Sequence, residues 1–229
     1  MIGIIAAMRP EAEALILKLE NKCEKEISKV KFTSGKIDGK DVVVAVSGIG
    51  KVNAAITATA MILEYKPDAI INTGVGGSLT NDLKILDIAV CESAVQYDMD
   101  TTAFGDPLGF ISGLNELNLK CDEKIVDTLL KSAESLGITP KKAIIATGDK
   151  FIEDREFKKF LNEKFNASVC EMEGGSIGQV CRINEVPFGI IRAISDGEGS
   201  DHTDYNTFMK KAAEIGCAIT EIFIKNYEV

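Results

Sequence analysis

The sequence predicts an α/β fold: a single-domain three-layer α/β/α sandwich built on a central mixed β-sheet. Short apolar runs bounded by turn residues alternate with helical stretches, which is the pattern of buried parallel strands joined by helices. The dipeptide Asp38-Gly39 separates two strand-like segments and is a strong hairpin signal, so the sheet must also contain an antiparallel pair. Because no linker-like composition interrupts the alternation, residues 1–229 are predicted to form one domain.

The N-terminal half is predicted to contain strands before and after a hairpin, with two helices between them. Pro10 suits the first turn of the first helix, and Pro67-Asp68 ends the second. The predicted elements are a strand at Ile2–Ala6, a helix at Glu11–Leu19, hairpin strands at Val30–Ile37 and Lys40–Val46, a helix from Lys51 to about Tyr65, and strands at Ala69–Thr73 and Ile88–Val95.

The C-terminal half opens with a long segment, Met99–Leu119, that lacks periodicity and is predicted to be a loop. Loops of this length inside a compact domain are usually functional. The remaining predictions are helices at Asp122–Leu136, Arg155–Phe165, Gly174–Asn184 and Tyr205–Asn226, strands at Lys142–Thr147, Ser168–Glu171 and Phe188–Ser195, and a polar loop at Gly197–Asp204.

Carboxylates follow three of the predicted strands. Glu11 lies just past the first strand, Glu171 and Glu173 stand at the end of another, and Asp196 follows Ser195 at the end of the last. Each one alone has an ordinary explanation, such as a helix-dipole charge or an N-cap. Because ligands bind beyond the carboxyl ends of strands in open α/β sheets, their joint occurrence predicts a site. One protonated and one ionised acid would suit bond-cleavage chemistry.

Two glycine-rich segments, Ser47–Lys51 and Thr73–Gly77, are candidate anion cradles or simple strand-to-helix turns. Neither is a complete phosphate-binding motif. Arg192 lies inside a predicted strand, where a buried arginine needs a carboxylate, and Glu11 or Asp196 could supply it.

Aromatic residues next to predicted loops are candidates either to stack on a flat ligand or to pack beneath the loops. They are Phe104, Phe110, Phe151 and Tyr205.

Composition excludes several classes of function. The net charge is −9 and the isoelectric point is near 4.8, which argues against nucleic-acid binding. No apolar run approaches the roughly 20 residues of a membrane span, and no signal-peptide pattern opens the chain. The six cysteines are scattered without a C-x-x-C pair, so reduced thiols and a cytoplasmic location are expected. The single histidine, His202, cannot build a histidine-rich metal site and is predicted to lie at the surface.

The chain resembles the purine nucleoside phosphorylase/uridine phosphorylase superfamily, and within it the 5′-methylthioadenosine/S-adenosylhomocysteine nucleosidases. The resemblance runs from the first strand to the final helix. It rests on six motifs in order: Ser47-Gly48-Ile49-Gly50-Lys51-Val52, Asn72-Thr73-Gly74, Thr102-Ala103-Phe104-Gly105, Gly148-Asp149-Lys150-Phe151-Ile152, Glu171-Met172-Glu173 and Arg192-Ala193-Ile194-Ser195-Asp196.

The resemblance implies a role for each catalytic candidate. Asp196 would be the general acid at purine N7, Glu11 would activate water, Glu173 would bind the ribose hydroxyls, and Arg192 would hold the polar network beside the water. The implied substrate-binding residues are Met8, Ile49, Gly76, Phe104, Phe151, Ile152, Glu171, Met172, Ser195 and Tyr205. Phe151 would stack on adenine, and Ile152 would offer it backbone hydrogen bonds. The resemblance implies no metal or organic cofactor, and a homodimer.

The implied reaction is hydrolysis of the N-glycosidic bond of a 5′-thioadenosine. The sequence leaves three alternatives open: a phosphate-dependent phosphorylase of the same fold, a hydrolase for futalosine or 5′-deoxyadenosine, and a nucleoside sensor without turnover. Hydrolysis is favoured over phosphorolysis because the chain has only four arginines, none directly before Thr73-Gly74, and because Glu11 would repel phosphate.

Overall fold

The computed structural model describes residues 1–197 and 202–228, with residues 202–206 described by their backbone alone. The strands in this part are β1 (Ile2–Ala6), β2 (Glu20–Ile27), β3 (Val30–Ile37), β4 (Lys40–Val46), β5 (Ala69–Ser78), β6 (Ile88–Gln96), β7 (Leu119–Lys120), β8 (Lys141–Thr147), β9 (Val169–Glu171) and β10 (Phe188–Asp196). The α-helices are α1 (Glu13–Lys18), α2 (Lys51–Tyr65), α3 (Glu123–Ser135), α4 (Arg155–Phe165), α5 (Gly174–Ile183) and α6 (His202–Asn226).

All of these strands join one mixed sheet, and part of that sheet closes into a ring. Strand β5 pairs in parallel with β10, β10 pairs antiparallel with β6, and β6 and β8 pair in parallel. Strand β9 then pairs in parallel with β8 and antiparallel with β5, which completes the ring. Strands β1, β4, β3 and β2 extend the sheet outward from β5, and β7 pairs with β6.

Helices cover the sheet on both faces, which confirms the predicted fold class. Helix α6 packs against β10, β5 and α3, whereas α2 packs against α5 and β1. Fully buried apolar side chains between the layers include Ile4, Phe32, Ile71 and Phe223. The predicted domain boundary at residues 1–229 stays a prediction.

Several elements differ from their predictions. Strand β2 was missed because its side chains are almost all exposed and charged, so it carries no buried periodicity. The first predicted helix is divided: Arg9–Glu11 form a 3-10 turn, and α1 begins at Glu13. Helix α6 begins at His202, so the predicted polar loop is shorter than expected, and residues 198–201 within it lie outside the described part.

The segment Thr73–Gly77 was predicted to be a turn after a short strand, and this prediction is wrong. Strand β5 instead continues through these glycines to Ser78, because they pair with β10 on one side and β9 on the other. Glycine is a poor sign of a strand, so the tertiary pairing decides this segment.

Candidate active site

One cavity of about 410 Å³ lies where β1, β5, β9 and β10 come together. Its volume falls in the range typical of small-molecule sites. Its lining combines four carboxylates with apolar side chains: Ala7, Met8, Glu11, Ile49, Val75, Gly76, Gly77, Phe151, Cys170, Glu171, Met172, Glu173, Ser195 and Asp196. Ten of the fourteen predicted site residues therefore line the same cavity.

The glycines of β5 let two carboxylates approach the backbone. A Cβ atom on Gly74 would lie 2.9 Å from Glu11 Oε1, and a Cβ atom on Gly77 would lie 2.7 Å from Asp196 Oδ2. Larger residues at these two positions would collide with the acids. The glycines therefore make room for the protein's own carboxylates, rather than forming the anion-binding turn that was one interpretation of the sequence.

Glu11 is held by backbone donors from two elements. The Met8 N–H donates to Oε2 at 2.8 Å, and the Val75 N–H donates to Oε1 at 3.0 Å. The side chain is buried, and this desolvation raises the pKa of Glu11 despite the two backbone hydrogen bonds, which lower it. A buried carboxylate with a raised pKa is a stronger base than one in water.

Glu173 faces the cavity from the start of α5 and is held by the glycine-rich turn before α2. Gly50, whose φ is +97°, donates its backbone N–H to Glu173 Oε1 at 2.8 Å, and the next N–H, of Lys51, binds Asp149 Oδ1 at 2.7 Å. This turn therefore does hold anions, and they are two carboxylates of the protein. Burial, and then the nearby Glu171, raise the pKa of Glu173 to about 7.

Glu173→Gln should change how stability depends on pH. Because the pKa of Glu173 in the folded protein lies above its ordinary value of 4.5, the folded protein binds this proton more tightly than the unfolded chain does. This contribution to stability is fully present below pH 4.5 and is lost as the pH rises through about 7. The free energy of unfolding of the variant, relative to that of wild type, should therefore be higher at pH 8 than at pH 5 by up to about 3 kcal/mol. Urea unfolding at the two pH values measures this difference.

The matched control for this prediction is Glu134→Gln, an exposed position on α3. That variant should track wild type at both pH values. An equal effect of Glu173→Gln at pH 5 and pH 8 would contradict the raised pKa.

Arg192 and Glu171 form a buried ion pair directly behind the cavity wall. Arg192 Nη2 binds Glu171 Oε2 and Asn72 Oδ1, and Nη1 donates to the Asn72 carbonyl at 3.1 Å. Glu171 also accepts hydrogen bonds from Thr147 Oγ1 and from the backbone N–H groups of Glu173 and Gly174. The prediction that Glu11 or Asp196 would pair with Arg192 is therefore wrong, because Glu171 occupies that position.

This network also changes what Glu171 and Arg192 can do. The Glu171 carboxylate has four protein donors, and Arg192 does not line the cavity. Both residues hold the walls of the site in place, in contrast to Glu11, Glu173 and Asp196, whose carboxylates face the cavity with fewer partners.

Asp196 reaches the cavity through a bulge in β10. Ile194 is opposite Gly76 and Asp196 is opposite Gly77, so Ser195 is an extra residue in the register. A bulge lets neighbouring residues face the same side of a sheet, and both Ser195 and Asp196 line the cavity. Ser195 Oγ donates to Asp196 Oδ1 at 2.9 Å, and Lys158 Nζ lies 3.2 Å from Oδ2.

Lys158 is the main residue that the sequence reasoning missed. It lies on α4, and its side chain is completely buried together with Leu161 and Phe165. The signal was available, because positions 158, 161 and 165 share one helical face, and a lysine on an apolar face calls for a buried anionic partner.

Of the other predicted substrate-binding residues, Phe104 does not line the cavity, whereas the predicted roles of Ile152 and Tyr205 stay predictions. Phe104 ends a 3-10 turn at the surface and is 87% exposed. The Ile152 side chain is buried in a second apolar cluster with Leu161 and Phe165, which does not bear on the hydrogen bonds expected from its backbone. Tyr205 lies in α6, and its side chain is outside the described residues.

Comparisons with known proteins show which family this chain is similar to. The family model of the phosphorylase superfamily matches residues 1–225. The 5′-methylthioadenosine/S-adenosylhomocysteine nucleosidase of Halalkalibacterium halodurans is 40% identical over 214 residues, covering 93% of this chain and 92% of the relative. The aminodeoxyfutalosine nucleosidase of Campylobacter jejuni is also 40% identical, over 215 residues, with 93% of each chain covered.

A solved structure of a Helicobacter pylori 5′-methylthioadenosine/S-adenosylhomocysteine nucleosidase superposes with a TM-score of 0.94 at 34% identity, covering 99% of this chain and 98% of that one. It is an aspartate-to-asparagine variant with 5′-methylthioadenosine in its active site.

The chain therefore belongs to the phosphorylase superfamily. Within that superfamily, the predicted resemblance to the 5′-methylthioadenosine/S-adenosylhomocysteine nucleosidases is confirmed, and so is the prediction of a purine nucleosidase, an N-glycosyl hydrolase. Among the described residues, no helix is both long and apolar enough to span a membrane.

Proposed function

We propose that this chain hydrolyses the N-glycosidic bond of 5′-methylthioadenosine and S-adenosylhomocysteine, releasing adenine and the thioribose. One observation carries the proposal: the carboxylates of Glu11, Glu173 and Asp196 come from three separate elements and face one cavity of nucleoside size. Cleavage needs an acid on the leaving purine, a base on the attacking water, and negative charge near a cationic sugar.

Each carboxylate suits a different task. Asp196 would protonate purine N7, so that adenine leaves as a neutral base. Glu11, fixed by two backbone N–H groups, would accept the proton of the attacking water. Glu173 would accept hydrogen bonds from the ribose hydroxyls, and these donors would favour its ionised form despite the raised pKa. Its charge would also stabilise the oxocarbenium-like sugar.

Apolar side chains complete the proposed substrate site. Met172 lines the cavity between Glu171 and Glu173 and would pack against the ribose. The Phe151 ring, which is 43% exposed at the cavity, would stack on adenine. Met8 and Ile49 would contact the 5′-alkylthio group.

Water is favoured over phosphate as the nucleophile by the arrangement of charges. None of the four arginines lines the cavity: Arg9 pairs with Glu13, Arg182 pairs with Glu116, Arg192 pairs with Glu171 behind the cavity wall, and Arg155 is exposed on α4. The four carboxylates of the cavity lining would repel a phosphate dianion.

Hydrolysis of aminodeoxyfutalosine is a second candidate, and it is favoured by one specific observation. The Campylobacter jejuni relative with that name is as similar to this chain as the halodurans enzyme, at 40% identity over the same share of the chain. The acid, base and ribose contacts would serve both substrates, so the two candidates differ at the 5′ end of the nucleoside.

The deciding experiment measures adenine release from 5′-methylthioadenosine, S-adenosylhomocysteine and aminodeoxyfutalosine, with and without phosphate. We expect free thioribose from 5′-methylthioadenosine at a rate that does not depend on phosphate. A sugar phosphate would show a phosphorylase, and tight binding of an adenosine analogue with no adenine release would show a sensor. A much higher kcat/KM for aminodeoxyfutalosine would select the second candidate.

A homodimer is part of this proposal. Val52, Ile56 and Leu63 lie on one face of α2 and are exposed by 68%, 41% and 70%. Their spacing of four and seven residues makes a continuous apolar stripe, which is the kind of surface that associates with another chain. Phe104 is also exposed, and it would be covered if the 99–119 segment met a second copy.

Leu63→Glu should convert the dimer into a monomer. A charge in the middle of an apolar interface is desolvated without a partner, which costs several kcal/mol. Light scattering coupled to size-exclusion chromatography should give the dimer mass for wild type and the monomer mass for the variant. Ile183→Glu, another exposed apolar position at the end of α5, is the control and should stay dimeric. A monomeric wild type would refute the proposed dimer.

A further inference from the structure

Asp196 has an unexpected partner for an acid. Lys158 Nζ lies 3.2 Å from Asp196 Oδ2 and donates to the Gly197 carbonyl at 2.9 Å. On the other side, Ser195 Oγ donates to Asp196 Oδ1 at 2.9 Å. The side chains of Lys158 and Asp196 are 1% and 5% exposed, so solvent screens this pair very little.

The partners indicate where the proton of the pair resides. A carboxyl group that accepts from an ammonium at one oxygen and from a hydroxyl at the other is an ionised acceptor. A general acid must nevertheless deliver a proton. The charge balance resolves this conflict, because the ammonium–carboxylate pair has the same net charge as a neutral aspartic acid. The pair as a whole can therefore release one proton.

We propose that Lys158 and Asp196 act as one acid, in which Lys158 Nζ stores the proton that Asp196 passes to the leaving purine. The inference rests on the nucleosidase function proposed above. As the glycosidic bond breaks, its electron pair moves onto the purine. Asp196 then gives a proton to N7 and takes one from Lys158, whose N–H bond breaks as an O–H bond forms.

The balance of the step is complete. Lys158 ends as a neutral amine, Asp196 is again a carboxylate, and adenine leaves as a neutral base. The attacking water gives its proton to Glu11, and the sugar gains the hydroxyl. Solvent exchange after product release returns one proton to Lys158 and removes one from Glu11, so that no external oxidant or reductant is needed.

A purely structural role for Lys158 makes a different prediction. Lys158 could simply connect α4 to the end of β10 through its bonds to Asp196 and Gly197. An arginine makes the same ion pair but does not give up its proton in proteins. Arginine should therefore preserve a structural role and abolish a proton-storing one.

Two other groups of the cavity affect the pH profile of every variant: burial raises the pKa of Glu11, and burial together with Glu171 raises the pKa of Glu173 to about 7. The kcat of each variant is therefore compared with that of wild type at the same pH, so that this shared dependence cancels. Among the described residues, Cys170 on β9 faces both Lys158 and Asp196, and burial raises the pKa of its thiol to about 12. Glu171, the next acid along β9, is paired with Arg192. Ser195 on β10 and Gly77 on β5 also lie next to Asp196, and neither ionises between pH 5 and pH 9.

The test compares kcat and KM for adenine release from pH 5.5 to 9 in wild type, Lys158→Met and Lys158→Arg. Lys159→Met, which removes the exposed neighbouring lysine on α4, is the control and should match wild type. For Lys158→Met we expect kcat to fall by roughly tenfold or more at pH 8, with KM little changed. At pH 5.5 its kcat should recover, because Asp196 without its cation can take a proton from solvent.

Lys158→Arg should stay slow at every pH, because it keeps Asp196 ionised and holds its own proton. Full activity in Lys158→Arg with a uniform loss in Lys158→Met would overturn the proposal in favour of a structural role. An unchanged kcat for Lys158→Met at pH 8 would overturn it as well. If the arginine variant fails to fold, the pH 8 to pH 5.5 ratio of the methionine variant decides alone. Absence of adenine release by wild type would instead refute the proposed function, and this inference with it.

Discussion

Replacing Asp196 with asparagine should reduce kcat by about 1,000-fold or more, since the amide cannot pass a proton to N7. Asparagine has the same shape as aspartate: its carbonyl oxygen can accept from Lys158, and its NH2 group can donate to Ser195 Oγ, which then acts as the acceptor. The variant should therefore fold and bind substrate with a KM close to that of wild type. Steady-state adenine release and the binding of an adenosine analogue measure the two properties separately.

Asp122→Asn is a chemically matched control for this variant. Asp122 caps α3 through a hydrogen bond from the Ile125 N–H, and asparagine is an equally good cap. Its kcat should equal that of wild type. A kcat for Asp196→Asn within tenfold of wild type would refute the acid role, whereas loss of analogue binding would indicate that the pocket had changed shape.

Breaking the buried Glu171–Arg192 pair should give the largest loss of stability. Glu171→Gln leaves the Arg192 guanidinium buried without its carboxylate, which is expected to lower the free energy of unfolding by about 3–5 kcal/mol. Arg192→Met should have a comparable effect, because Glu171 then remains as a buried anion with neutral donors. Urea unfolding at pH 7 measures both.

A double variant and an exposed pair provide the controls. Glu171→Gln combined with Arg192→Met removes both charges, so its loss should be clearly smaller than the sum of the two single losses. The Arg182–Glu116 pair has the same chemistry, but it is partly exposed, and Glu116→Gln should cost about 1 kcal/mol or less. Equal losses for Glu171→Gln and Glu116→Gln would show that burial does not govern the pair.

Much of the fold could be predicted because its signals are local. Buried strands such as β1 are continuous apolar runs, the Asp38-Gly39 turn identifies the β3–β4 hairpin, and the amphipathic helices α3 and α4 begin within a residue of their predicted positions. Strand β2 gave no such signal, because an exposed, charged edge strand forms through pairing with β3 rather than through its own burial.

The site was predicted in part, and for a reason that needs correction. From the sequence, the carboxylates are expected to lie close together because the carboxyl ends of parallel strands share one edge of a sheet. Strand β9, which carries Glu171, is in fact antiparallel to β5. Glu171 lies in the same cavity as Glu11 and Asp196 because the ring of strands closes and brings β9 against the C-terminal end of β5.

The sequence by itself determined the composition of the site: which acids follow which strands, which glycines stand near them, and which family the motifs resemble. The tertiary structure alone decided how those acids are paired. In the folded protein, Arg192 forms an ion pair with Glu171 and Lys158 forms one with Asp196, whereas Glu11 accepts hydrogen bonds from backbone N–H groups. The physical reason is that pairing in a buried site depends on distances of a few ångströms between residues far apart in the chain. Ring closure and the bulge at Ser195 set those distances, and local patterns do not encode them.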